Sequence, residues 1–140
     1  MPRTNPKNRS HRLRRLGLLP VVASAASLTA GCSGVLFEHA FFTGGQYSTS
    51  GTNENFAGET FNDGSDLNDN ASSVRNNSGK WMVLTEHRSL GGQKLCVRTG
   101  HEVENLNVYK WNHGIYTFTD KATSITFTTN RPTSCNWYKE

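Results

Sequence analysis

An internal repeat limits what this chain can fold into more than any other feature. Val35-Leu36-Phe37-Glu38-His39-Ala40-Phe41-Phe42-Thr43-Gly44 aligns with Val83-Leu84-Thr85-Glu86-His87-Arg88-Ser89-Leu90-Gly91-Gly92, and the two Glu-His pairs stand 48 residues apart. Further on, Asn68-Asp69-Asn70-Ala71-Ser72-Ser73-Val74 aligns with Thr119-Asp120-Lys121-Ala122-Thr123-Ser124-Ile125 at a spacing of 51. Two matches in the same order, at nearly the same offset, mark a tandem duplication of units about 45 residues long. The units fall at about 35–78 and 81–130, within one domain over 35–130, and leave 131–140 as a tail.

Each unit reads as β. Val35 to Glu38 and Trp81 to Thr85 are short apolar-rich runs. Gln93 to Val97 and Ser124 to Thr128 alternate polar and apolar residues, as half-buried strands do. Gly44-Gly45, Gly91-Gly92, Asn77-Ser78-Gly79 and Gly100 punctuate them with turns. Helical periodicity never lasts beyond a turn or two. All fourteen aromatic residues lie between Phe37 and Tyr138, enough apolar area for one compact core. The expected architecture is all-β, two packed antiparallel sheets forming a sandwich.

The residues before the repeat have a different character. Six basic and no acidic side chains occupy the first fifteen positions; an apolar run from Leu16 to Leu28 and the small residues Thr29, Ala30 and Gly31 follow. That order is the plan of a secretory signal peptide over 1–31. From residue 16 onward, nine basic face eleven acidic side chains, so the high pI belongs to the leader and nucleic-acid binding loses its electrostatic basis. No apolar run reaches the length of a membrane span. Thr29-Ala30-Gly31-Cys32 resembles a bacterial lipobox, which would lipidate Cys32 at the cell surface; cleavage after Ala25 or Ala30 is the alternative. An exported chain with three cysteines has one to spare, and lipidation of Cys32 would leave Cys96 and Cys135 to form a disulfide.

The repeated residues resemble the βγ-crystallin family, whose Greek-key unit carries aromatic-x4-aromatic-x-Gly in a folded hairpin and a later serine that locks it. Phe37, Phe42, Gly44 and Ser73 match in the first unit. In the second, Gly92 and Ser124 keep their places, while Thr85 and Leu90 stand where rings are expected. The resemblance implies a two-sheet sandwich of two Greek keys, with a looser second hairpin because Thr85 brings no ring.

The resemblance also implies calcium. Asn68-Asp69-Asn70-Ala71-Ser72-Ser73 fits the family's calcium signature at every position, and Thr119 to Ser124 fits except at Thr119. Each of two Ca²⁺ sites would draw on both loops. Asp69 and Asp120 would give side-chain oxygens, Ser72 and Thr123 hydroxyls, and Asn70 and Lys121 backbone carbonyls. The carbonyls of Glu38 and Glu86 would complete the shells. About one carboxylate per site implies affinity of roughly micromolar to millimolar. The plainer alternative is that Asn, Asp and Ser serve here as turn residues.

Other constellations carry less. His39, His87, His101 and His113 lack zinc-site spacing. Cys96 has no catalytic partner in sequence, and Glu102 and Glu104 read as solvated. The segment Asn105 to Tyr116 is rich in aromatics and exceeds its counterpart by three residues; it serves either as a binding patch or as cover for the second hairpin. The leading expectation is an exported, monomeric, non-enzymatic calcium-binding domain. The alternative, from a second resemblance, is a secreted inhibitor of metalloproteinases. Ser73 to Gly79, Leu84 to His87 and Cys96 are similar to a bacterial peptidase inhibitor family of crystallin-like fold.

Overall fold

A computed structural model of the protein describes residues 32–111 and 114–140, the side chain of Trp111 excepted. The export leader expected over 1–31, and His113, lie outside the described residues.

Short apolar-rich strands build two four-stranded sheets. The first unit supplies β1 (Gly34–His39), β2 (Thr43–Thr49) and β3 (Ser73–Asn76). The second supplies β4 (Trp81–His87), β5 (Gly91–Val97), β6 (His101–Val103), the short hairpin β7 (Lys110–Trp111) and β8 (Tyr116–Thr117), and β9 (Ser124–Thr128). The tail adds β10 (Trp137–Lys139). The sheet orders are β2-β1-β3-β6 and β10-β5-β4-β9, so β6 of the second unit closes the first sheet. The reverse exchange is smaller: Asn53 of the first unit bridges Ile125 of β9, with N–H···O distances of 2.9 and 2.8 Å. Each sheet therefore holds chain from both units, the interlocked form of two Greek keys.

The duplication is repeated in the core. Leu36 and Leu84, Phe56 and Leu106, Leu67 and Phe118, Ala71 and Ala122, and Val74 and Ile125 are equivalent pairs, and all ten side chains are fully buried between the sheets. Where the units join, buried Asn76 donates to the carbonyls of Lys80 (2.8 Å) and Val97 (2.7 Å) and accepts from Ser78. Its amide is fully engaged, which fixes the linker turn without exposing core. Among the described residues no helix is long and apolar enough to cross a membrane.

Cys96 and Cys135 are joined in a disulfide, Cα atoms 6.0 Å apart, and Cys32 is exposed with a free thiol. The tail does more than hang from this bond: β10 pairs in parallel with β5, Trp137 opposite Leu95 and Lys139 opposite Val97. Nothing in Asn130 to Glu140 reads as a strand by period, because Pro132 and a run of polar residues precede a pair of aromatics. Pairing with β5 decides its conformation.

Candidate functional site

Both β1-β2 and β4-β5 hairpins bend over their sheets in the same way. Phe41 and Phe42 have φ of +60°, and their counterparts Ser89 and Leu90 have +57° and +59°. Side-chain-bearing residues rarely adopt this left-handed region, so other bonds must hold it. Ser73 Oγ accepts from the Phe42 N–H (3.0 Å) and donates to the His39 carbonyl (2.6 Å). Ser124 Oγ does the same for Leu90 (3.3 Å) and His87 (2.8 Å). Gly44 (φ +78°) and Gly92 (φ +73°) complete the bends; a Cβ at either would lie 2.9 Å from the ring of His39 or His87.

The looser second hairpin expected from Thr85 is not seen in the backbone. Phe37 packs edge-on against Phe42 at 5.4 Å, and the Arg75 guanidinium stacks 3.8 Å over Phe42. Thr85 instead lies fully buried, its hydroxyl clustered with Ser124 Oγ and the His87 carbonyl, the two hydroxyl protons being shared among the three oxygens. A hydrogen bond replaces the ring as the fastening.

The two motif loops meet across the pseudo-twofold. The Asp69 N–H donates to the Ala122 carbonyl (3.2 Å), and the Asp120 N–H to the Ala71 carbonyl (3.1 Å). Both aspartates have positive φ, +58° and +53°, which a short polar side chain tolerates. Thr123 Oγ1 then donates to Asp69 Oδ1 at 3.1 Å and lies 3.5 Å from the Lys121 carbonyl; Ser72 Oγ donates to Asp120 Oδ1 at 3.0 Å. Each carboxylate is thus delivered to the other unit's loop.

Of the eight residues expected to ligate a metal, four surround one cavity of about 410 Å³: Asp69, Glu86, Lys121 and Thr123, with His87 and Arg88 beside them. The equivalent cluster joins Ser72 to Asp120. Glu38 and Glu86 sit where their hairpin registers slip, so neither has a cross-strand partner. Their carboxylates do not point to solvent alone: Glu38 Oε2 accepts from Gly45 N–H and Glu86 Oε2 from Gln93 N–H, each at 3.2 Å. The Asn70 side-chain amide donates to the Asp66 carbonyl (2.9 Å).

This donor set suits a hard cation. Two oxygens about 2.4 Å from one calcium ion, in a six- to eight-fold shell, stand roughly 2.9–3.4 Å apart. The Thr123–Asp69 and Ser72–Asp120 separations, 3.1 and 3.0 Å, lie in that range. Asn68 Oδ1, beside Asp69, is buried without a hydrogen-bond partner. Among the described residues no three His, Cys, Asp or Glu side chains gather closely enough to hold a metal, so any shell must rely on hydroxyls and carbonyls.

A second concavity, about 800 Å³, opens beside β6 and is lined by residues including Phe41, Glu102, Glu104, Val108 and Tyr109. It divides the aromatic segment. Tyr109 leans on Trp137 at 6.0 Å, and burial pushes its phenol pKa up. Val108, Ile115 and Tyr116 are exposed. Sequence reading missed Phe41 as a surface residue, because an aromatic in a β-rich repeat is assigned to the core by default.

With two interlocked Greek keys and two serine-locked hairpins in place, comparison with solved structures is decisive. The chain has the βγ-crystallin fold. A crystallin domain solved in connection with the evolution of the eye lens fold superposes with a TM-score of 0.58 at 19% identity, covering 73% of this chain and 90% of that one. An archaeal βγ-crystallin gives 0.51 at 22% identity over 69% and 96% of the two chains. A βγ-crystallin domain from Flavobacterium johnsoniae gives 0.51 at 22% over 71% and 98%. Residues 36–97 match the model of peptidase inhibitor family I36, a stretch running from β1 to the end of β5 of the crystallin fold. A search of curated proteins finds no match.

Proposed function

We propose that this βγ-crystallin-type protein is an exported inhibitor of a secreted peptidase, a metalloproteinase in the first instance, with no catalysis of its own. The observation that carries this reading is the match of residues 36–97 to an inhibitor family. The physical chemistry agrees with it. A disulfide suits an oxidising compartment. Hairpins fastened by buried hydroxyls present their tips in fixed conformations, which lowers the ordering cost of binding another protein. The test is hydrolysis of a fluorogenic peptide by purified secreted endopeptidases, one of the zinc-dependent thermolysin type and one serine enzyme, with the protein titrated in. Stoichiometric inhibition of the metalloenzyme is the expected result, and undiminished activity of every enzyme tried would overturn the reading.

We further propose that the protein binds calcium at the two cross-loop clusters. The pairing of Thr123 with Asp69 and of Ser72 with Asp120 favours this, since each carboxylate is held beside a second hard oxygen. When bound, the ion would supply charge that ties the two motif loops together; Asp69, Thr123, Lys121 and Glu86 would hold one ion, and Asp120, Ser72, Asn70 and Glu38 the other. Calcium at a hundred times Kd would add about 2.7 kcal/mol to stability. Calorimetric titration and melting curves check it: Asp69→Ala and Ser72→Ala should each weaken a different site. A melting curve unchanged between chelator and millimolar calcium would leave these loops as turns.

A further inference from the structure

Comparing the two units shows which strand edge the fold leaves open. β2 and β5 are equivalent strands in the same register: Thr49 faces Gly34 of β1 as Val97 faces Met82 of β4. Their outer edges begin alike. The Asn62 N–H donates to the Gln46 carbonyl (2.9 Å) and the Gln46 N–H to Asn62 Oδ1 (2.8 Å). Asn136 and Lys94 repeat both bonds, at 2.9 and 2.8 Å. Then the units part. After Asn136 the chain runs on as β10, parallel to β5, and the Lys139 carbonyl accepts from the Arg98 N–H at 2.9 Å. After Asn62 it turns back at Gly64, whose N–H donates to the Phe61 carbonyl (3.0 Å). No strand among the described residues lies against the outer edge of β2.

Along an antiparallel pair, the backbone groups of successive residues alternate between the partner strand and the outer edge. Gln46 directs both of its groups outward, to Asn62, so Ser48 directs its own outward too, while Tyr47 and Thr49 bond β1. The Ser48 N–H and carbonyl therefore form an unpaired ladder, continued by the Ser50 N–H, which is equivalent to that of Arg98. Gln46, Ser48 and Ser50 are all exposed. Natural sheet edges are commonly guarded by charge, by proline or by a covering segment. β6, the outermost strand at the other side of this sheet, carries His101 and Glu102. From Thr43 to Asn53 there is neither a charged residue nor a proline. The β2 edge is preformed and unguarded.

We propose that the β2 edge from Ser48 to Ser50 receives an extended segment of the target peptidase as an added parallel strand. This rests on the inhibitor reading and names its contact surface. Location selects the occupant. The stretch that matches the inhibitor family, residues 36–97, runs from β1 through β5. Within it β1, β3, β4 and β5 are paired on both edges, and β2 on one. β10 is the template for the added strand. Its Trp137 lies opposite Leu95 and packs against the core, and Tyr47 stands at the position equivalent to Leu95. By the same register the peptidase residue opposite Tyr47 points to the rim of the sandwich, where a large apolar side chain fits. Main-chain bonds to Ser48 and Ser50 supply the affinity, as in other added-strand complexes, and that side chain the preference.

Amide hydrogen exchange of the protein, alone and saturated with the thermolysin-type enzyme, reads this edge residue by residue. In the free protein the Tyr47 and Thr49 amides should exchange slowly and those of Ser48 and Ser50 fast. The complex should slow the second pair at least about tenfold. Two variants accompany it. Ser48→Pro removes an outward N–H, which an edge strand tolerates, and Ser48→Lys adds the missing guard. Each should keep the melting temperature within a few degrees of the parent and raise the inhibition constant at least about tenfold. Should Ser48→Pro fail to fold, the lysine variant and the exchange pattern decide. Parent-like inhibition by Ser48→Lys, or Ser48 and Ser50 amides that stay fast in the inhibited complex, would overturn the edge while leaving the inhibitor reading intact. A parent protein that inhibits nothing would overturn both. Ser48 and Ser50 amides already slow in the free protein, within a dimer seen by sedimentation equilibrium, would give the edge to a second copy and overturn the proposal.

Discussion

Ser73 Oγ binds two backbone groups, accepting from the Phe42 N–H and donating to the His39 carbonyl, and it is fully buried. Ser73→Ala should therefore cost about 1–3 kcal/mol, the range for stranding buried polar groups. Ser124→Ala should cost less, because the Thr85 hydroxyl, 3.0 Å from the same His87 carbonyl, can donate to it once Ser124 is gone. Urea melts of the two variants measure the difference, and equal losses would mean that Thr85 gives no support. Tyr109 makes a second residue-level prediction. Burial favours its neutral phenol, so the folded pKa lies above the ordinary value of 10.0. The folded state then binds more protons than the unfolded one above about pH 10, and stability falls as pH rises through that window. Tyr109→Phe should flatten the alkaline limb of the stability profile, read by melting temperature between pH 9 and 11 as roughly the relevant span.

Elements differ in how far their own residues determine them. The strands at Val35 and Trp81 were legible as short apolar-rich runs and those at Gln93 and Ser124 by polar-apolar alternation in sequence, and the motif loops because both copies spell the same Asp-x-Ala-Ser/Thr-Ser. The crossing of Asp69 to Thr123 and Asp120 to Ser72 was implied by resemblance rather than by spacing. β10 was not legible: a three-residue strand has too few positions to show a period, and its partner β5 lies about forty residues away in sequence. Its hold on the sheet depends on the Cys96–Cys135 bond, which closes a 39-residue separation and in the loop-entropy model contributes about 3–4 kcal/mol. A Cys96→Ser/Cys135→Ser double variant should lose that amount, with early hydrogen exchange confined to β10 and the adjoining edge of β5. The two motif loops differ as elements too. The cluster around Asp69 and Thr123 has Lys121 and Arg88 on its wall, where the first unit has Asn70 at the position equivalent to Lys121. On the calcium reading, cation repulsion would make this the weaker of the two proposed sites, and Lys121→Asn should raise its calcium affinity in a calorimetric titration.

At the scale of the molecule, the exchange of chain between sheets decides how the protein folds. If each Greek key closed its own sheet, the first unit would be a small domain that could form before the second existed. The observed topology forbids that. Without β6, the first sheet has β3 as a bare edge, exposing the Val74–Val103 pairing position; without β9, Asn53 has no bridge and Leu36, Phe56 and Val74 face no second layer. The core pairs Leu36 with Leu84 and Val74 with Ile125 by repeat, but physically they form one cluster that only the complete chain encloses. A half-chain also falls near the size at which burial fails to offset chain entropy. Residues 32–79 expressed alone should therefore give a disordered amide spectrum, and so should 80–140 with its disulfide intact. Mixing the two fragments should restore dispersed resonances through a bimolecular step whose midpoint shifts with concentration. A dispersed, cooperatively melting spectrum from either fragment by itself would mean that the Greek keys are separate folding units merely packed together.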